Sequence, residues 1–346
     1  MRCEEPQIYH RFIGTNNTRI DAFFTNISSW VPLFHRPNFY NKYDVHGVNL
    51  DRYQNLQLED CLVINGICAL AARFSTSTYF SDIAPKSRAE PFLRHATQLY
   101  EDAIKSDSVT PPNLSLLQGL LLLGWFHQVC GSSGRCWILI GVCCRLAYDL
   151  GLNNTDQDIL ESKTSAQWSS TEEWSKREEH RRAWWFLWEL DMFSSTVLHR
   201  PHTIDKTQFD VLLPVSDTIW FSDSPVASVP IMTDPIYVWK SLKDSPNQNE
   251  KAWFIVSVFL RAVAHDLTRK RETRAQAISD FQSSLICFAI LLPKEFDLQE
   301  NLINFDDNNF GACSWIISTQ MMILSSVSTD SLIAAQSLCC RLTNFA

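Results

Sequence analysis

From Ser175 to Leu198 the chain reads SKREEHRRAWWFLWELDMFSSTVL, and this run decides the fold. Trp184, Trp188, Asp191, Met192 and Ser195 follow one another at spacings of 4, 3, 1 and 3, which places them on one face of an α-helix. The run holds no glycine or proline and stops before Arg200-Pro201, so it predicts a helix over 175–198. Glu178 and Arg182 stand one turn apart and are expected to pair. Asp191 lies on the apolar face, where an unpaired carboxylate would be strongly disfavoured. Arg145 and Arg200 are its candidate partners. No second positioned acid or base is visible, so Asp191 reads as a group that fixes helix register, not as a catalytic acid.

Upstream, helical spacing recurs in Ile20, Phe23, Phe24, Ile27 and Trp30, and Val31-Pro32 ends that element. A loop is expected through Leu33-Phe34-His35-Arg36-Pro37. Further helices are predicted at 58–75, 86–106, 114–128 and 135–150. The 114–128 helix is apolar nearly all round, which marks it as central. Pro111-Pro112-Asn113 breaks and caps its start, and Gly151 closes the 135–150 helix as a left-handed cap. Residues 153–173 are polar and read as a long exposed loop. Downstream, Pro201, Pro214, Pro225, Pro230, Pro235 and Pro246 punctuate residues 200–250, which predicts an irregular segment lying on the surface. Helices resume at 251–270, 275–292, 310–327 and 330–344. The fold class is therefore all-α, a multi-helix bundle with an irregular proline-containing connecting segment. The expected division is a short extension, 1–19, and one domain, 20–346.

Composition agrees. Of 346 residues, 45% are apolar and only 10 are glycine, which disfavours a turn-rich β fold. The net charge of −8 gives no basic stripe of the kind that free-standing nucleic-acid binders carry. The nearest is Arg269-Lys270-Arg271-Glu272-Thr273-Arg274, read as a solvated helix face. The start shows no signal-peptide pattern, and the longest apolar run, Leu116 to Phe126, is far short of the roughly 20 residues that span a bilayer. A soluble intracellular protein is expected. Eleven cysteines fall mostly inside apolar helical patterns and read as reduced, buried side chains. No C-x-x-C pair occurs, which excludes zinc ribbons, C2H2 fingers and a six-cysteine cluster within this sequence.

Motifs that carry chemistry are scarce. No phosphate-binding glycine loop and no G-x-S-x-G occurs. His199 and His202 bracket Arg200-Pro201, but a metal site wants three or four ligands and no third is evident, so no metal is assigned. His95, His127 and His265 stand alone on helices. His127 and Cys130 could share a face, though a buried pair of this kind is ordinarily packing. A helical enzyme would need an acidic cluster for a metal. The adjacent aspartates Asp306 and Asp307, followed by two asparagines, read better as a loop and helix cap.

Three segments together resemble one family. Phe34-His35-Arg36-Pro37-Asn38-Phe39 is similar to its early h-R-P-x-F loop. Leu117-Gln118-Gly119-Leu120-Leu121-Leu122, Gly134-Arg135-Cys136-Trp137 and Arg145-Leu146-Ala147-Tyr148-Asp149-Leu150-Gly151-Leu152 resemble its central pattern. Arg181-Arg182-Ala183-Trp184-Trp185, Asp191, Arg200-Pro201 and Leu213-Pro214 resemble its R-R-x-W-W … D … G-R-P … L-P pattern, with His199 where glycine is usual. The family is the fungal-specific transcription factor domain, the middle homology region of zinc-cluster regulators. The match is best over 20–215, with a helical continuation at 250–346. Its structural motif residues are Arg36, Pro37, Gln118, Trp137, Arg145, Asp149, Gly151, Arg182, Trp185, Asp191, Arg200 and Pro201. The resemblance implies a nuclear, non-enzymatic regulator of transcription by RNA polymerase II. It implies action through a homodimer, a heterodimer with a related regulator, the transcription machinery or a small metabolite. A helical enzyme of secondary metabolism and a plain dimerisation scaffold are the competing readings. The family's zinc cluster has no counterpart in this sequence, so zinc is expected only with a cluster outside it. The chain looks clipped at both ends, and neither direct DNA binding nor membrane insertion is expected of it.

Overall fold

The computed structural model describes residues 19–43, 45, 56–105, 111–162, 170–269, 275–298 and 310–343, with backbone alone for Tyr79 and for 329–343. The 1–18 part of the extension, most of the 269–274 basic run and the Asp306-Asp307 pair lie outside the described residues. Among the described residues there are twelve α-helices and no strand. The helices are α1 (19–26), α2 (Arg36–Lys42), α3 (Leu58–Ala71), α4 (Glu90–Lys105), α5 (Leu114–Cys130), α6 (Gly134–Asp149), α7 (Gln157–Ser162), α8 (Thr171–Val197), α9 (Asp217–Phe221), α10 (Glu250–Arg269), α11 (Ala275–Leu291) and α12 (Phe310–Thr343). They form two compact units. One comprises 1–152 and 182–198, the other 153–181 and 199–346.

In the first unit α3 packs against α4 and α5, and α5 packs against α6. Both α3 and α5 are apolar nearly all round, because each is covered on several sides. Their backbones approach closely at two glycines. A Cβ on Gly66 would lie 2.8 Å from Leu122 Cβ, and one on Gly119 would lie 2.7 Å from Leu62 Cγ. Asn113 caps α5 by accepting the Leu116 N–H at 2.9 Å, and Gly151 ends α6 at φ 68°, both as expected. From Arg182 onward, α8 brings Phe186 to Trp125 of α5 and Trp184 to Tyr148 of α6, each at 5.7 Å between ring centroids. Trp184, Trp185 and Trp188 are wholly buried. At about 25 cal/mol per Å² and roughly 200 Å² per ring system, each contributes on the order of 5 kcal/mol before chain ordering is subtracted.

In the second unit α10 packs against α11 and α12. Lys251 Nζ lies over the Trp315 ring, 3.7 Å from its centroid, and the lysine is itself buried, so its charge meets the π-face. Phe254 stacks on the same tryptophan at 4.8 Å. Over Phe310–Ser328, α12 is long and apolar enough to cross a membrane by length and composition alone, with a third of that window buried. The apolar residues Trp315, Ile316 and Ile323 are buried here.

Five local expectations change, the first being that residues 153–173, expected as one exposed loop, carry α7 (Gln157–Ser162) and bury Asp156. His35-Arg36-Pro37 starts a helix instead of continuing a loop: His35 Nδ1 accepts the Asn38 N–H, and proline in the first turn lacks only an N–H that would be unused there. The 175–198 helix begins at Thr171, where Ser170 Oγ accepts the Glu173 N–H. The predicted helices at 310–327 and 330–344 are one helix, α12, since no glycine or proline interrupts them. The 200–250 segment is irregular, with one isolated bridge between Leu212 and Pro230, but it is no mere surface strap. Val211, Leu212, Leu213, Val215 and Trp220 are buried.

Candidate functional site

Backbone buried without a regular ladder must find other hydrogen-bond partners. In the second unit two acids supply them. Asp156 Oδ2 accepts the Leu212 N–H at 2.8 Å, and Glu178 Oε1 accepts the Val215 N–H at 2.9 Å. Arg181 joins both acids. Its Nε and Nη2 donate to Asp156 at 2.8 and 2.7 Å, and its Nη1 donates to Glu178 Oε2 at 3.2 Å. All three side chains are fully buried. Burial opposes the charge on Arg181, but its bonds to Asp156 and Glu178 outweigh that and push its pKa up. Two backbone bonds tie the same segments together, with Asp156 N donating to Asp210 O and Asp210 N donating to Asn153 O. Trp220 Nε1 donates to Ser175 O at 3.1 Å and closes a small core with Trp174 and Val215. Glu178 bonds Arg181 and a backbone amide. Asp156, placed by sequence in an exposed polar loop, is a buried anchor. A buried arginine fork at 181 is the one signal that could have called for it.

A second cluster lies in the same unit. His202, from the segment after α8, faces His265 and Asp266 of α10, with ring centroids of the two histidines 5.0 Å apart. His202 Nε2 is 3.6 Å and His265 Nδ1 is 3.8 Å from Asp266 Oδ1. Lys206 Nζ hydrogen-bonds the other oxygen, Oδ2. None of the four ring nitrogens makes a hydrogen bond. Burial pushes His202 down to about 4, against the pull of Asp266. Burial would also raise Asp266, but the His265 and Lys206 contacts outweigh it and hold the carboxyl well below the usual range. The third ligand-type group that was not evident near His202 in sequence comes from a helix more than sixty residues on.

The family-motif residues divide into capping, packing and bonding roles. Exposed Arg36 lies over the Phe24 and Tyr40 rings at 5.8 and 5.4 Å, with Pro37 beside it in the first turn of α2. Buried Gln118 donates to Leu33 O at 3.0 Å, which ties α5 to the turn before α2. Trp137 is half-buried on α6, and Asp149 is exposed at its end. Arg145 is exposed and donates to Gly141 O one turn back on its own helix, so it does not serve as the partner expected for Asp191. Asp191 accepts from Ser195 Oγ at 3.4 Å. Trp185 meets Trp188 edge-on at 5.5 Å, and Arg182 is buried in the same stretch of α8. His199, in the place of the usual glycine, holds φ 51°, the left-handed backbone for which glycine is best suited. Arg200 is half-buried and Pro201 exposed directly after it.

His127 and Cys130 both lie in the last turn of α5, with Cys130 exposed. Burial pushes the thiols of Cys68, Cys136, Cys143 and Cys144 up, Cys68 to about 11. They are packing groups held in the thiol form.

The helices define an all-α domain. The family model for the fungal specific transcription factor domain matches residues 20–276, and the chain belongs to that family. It is similar to the Zn(2)-C6 fungal-type transcription factor FTF1c of Fusarium oxysporum f. sp. lycopersici, 28% identical over 59% of this chain and 20% of that protein. With FTF1a of the same fungus it shares 31% identity over 57% of this chain and 17% of the relative. The uncharacterized transcriptional regulatory protein C1327.01c of Schizosaccharomyces pombe is 27% identical over 54% and 18%. The chain thus covers about a fifth of the length of these relatives. No solved structure matches it. The zinc cluster in the Fusarium relatives' names has no fitting residues here, since no C-x-x-C occurs and Cys61, Cys68, Cys136, Cys143 and Cys144 are buried in helices.

Proposed function

We propose that this chain is the regulatory module of a nuclear fungal transcription regulator, acting through contact with a related regulator and not by gripping DNA itself. The observation that carries this reading is the family match over 20–276. The net charge of −8 and the absence of C-x-x-C agree with a role away from the phosphate backbone. Exposed apolar side chains recur at helical spacing in the second unit: Ile286 and Ile290 on α11, and Met321 and Leu324 on α12. Exposed apolar side chains that gather on a helix face are what protein partners cover. The test is purification of the tagged chain from nuclei of its host, combined with transcript profiling after deletion. Recovery of a zinc-cluster regulator together with altered transcripts of that regulator's targets supports the proposal. Recovery of none, with transcripts unchanged, contradicts it.

A further inference from the structure

We infer that His202, His265 and Asp266 form a binding site for one zinc-class divalent cation, which clamps the segment after α8 to α10. The ligand atoms of the three residues all lie within 4.8 Å of one another. A tetrahedral ion with bonds of about 2.0–2.1 Å spaces its ligand atoms roughly 3.3 Å apart. The two nitrogen–oxygen separations, 3.6 and 3.8 Å, are already near that spacing. Two imidazoles and one carboxylate are a donor set suited to zinc and its neighbours, with a fourth position left for solvent.

Three further observations point to a ligand. His265 is buried, the His202 side chain is only 6% exposed, and neither ring makes a hydrogen bond. Buried imidazoles whose ring nitrogens make no hydrogen bond are destabilising, and a metal bond removes that penalty. The carboxylate is divided in use: Oδ1 faces both histidines, while Oδ2 is held by Lys206. An outer hydrogen bond on the non-ligating oxygen is the usual way a ligand carboxylate is oriented. Asp266 remains 37% exposed, so an ion has a path in from solvent. The nearby cations are Lys206, whose charge Asp266 meets directly, and Arg269, which donates to His199 O.

The site does not rest on the family reading, and it is separate from any cysteine cluster. Its test uses the full chain without a polyhistidine tag, stripped with chelator and titrated with Zn²⁺ by calorimetry and with Co²⁺ by absorption. The expected result is one ion per chain and a cobalt spectrum of nitrogen and oxygen donors without a thiolate charge-transfer band. His202→Ala, in the irregular segment, should lose binding at least about tenfold while keeping the helical circular dichroism. Cys130→Ser should bind as the unaltered chain does. Absence of binding to the folded chain, a thiolate band, or full affinity in His202→Ala would each overturn the inference. Should His202→Ala not fold, the stoichiometry and donor set of the unaltered chain decide it by the same criteria.

Discussion

Arg181 and Asp156 meet through two parallel hydrogen bonds, 2.8 Å at Nε and 2.7 Å at Nη2, with both side chains wholly buried. The pair lets an irregular, proline-punctuated segment be buried, because Asp156 and its neighbour Glu178 accept the amides of Leu212 and Val215. Removing the arginine takes from two buried carboxylates the guanidinium that bonds both. Arg181→Met should therefore destabilise the chain by about 3–5 kcal/mol. Arg181→Lys should recover only part of that, since an ammonium cannot make the fork. Urea unfolding midpoints of the two variants check both statements.

The α3–α5 crossing should be intolerant of one methyl group. At Gly66 the new Cβ would press on Leu122 Cβ at 2.8 Å, and at Gly119 on Leu62 at 2.7 Å. Gly66→Ala and Gly119→Ala should each lower stability by about 1–3 kcal/mol. Gly134→Ala, at an open position in the first turn of α6, should stay within about 0.5 kcal/mol of the unaltered chain. Thermal melts of the three variants separate close packing from a general dislike of alanine.

His199 runs the other way. Its φ of 51° is disfavoured for any residue with a Cβ by roughly 1–2 kcal/mol, while glycine loses about 0.5–1 kcal/mol of chain entropy. His199→Gly should thus raise stability by about 0.5 kcal/mol, seen as a small increase in melting temperature. A decrease would mean the imidazole makes a contact worth more than the strain.

The pH response should bend on the acid side of neutrality. Burial, aided by Arg177, pushes His180 below its ordinary value near 6.5. The unfolded chain then takes up a proton at a pH where the folded chain does not. Stability is accordingly full above about pH 6.5 and declines as the pH falls below it. His180→Gln, assayed in chelator by denaturant unfolding between pH 7 and 5, should show a shallower decline than the unaltered chain.

Much of the helical framework was legible because periodicity and caps are local. The tryptophans at 184, 185 and 188, the Asn113 cap and the Gly151 left-handed cap all follow from neighbours within a few residues. The glycine usual before Arg200-Pro201 also told true, in that His199 adopts the backbone a glycine would. What escaped notice was long-range. Asp156 looks like one more acid in a polar loop until Arg181 stands 25 residues on to receive it. His265 looks solitary on its helix until an irregular segment brings His202 beside it. Arg145 is the reverse case: the sequence offers it to Asp191, but its guanidinium turns back to Gly141 on the same helix.

The central claim, that this helical chain acts on transcription by contact and not by its own hold on DNA, is tested most directly by tethering. The chain is fused to an unrelated DNA-binding module and placed before a reporter, with Arg181→Met as the fold-impaired control. The account predicts that the fusion changes reporter output relative to the module alone, and that the control at equal abundance does not. Reporter output identical for the module alone and the folded fusion would contradict it.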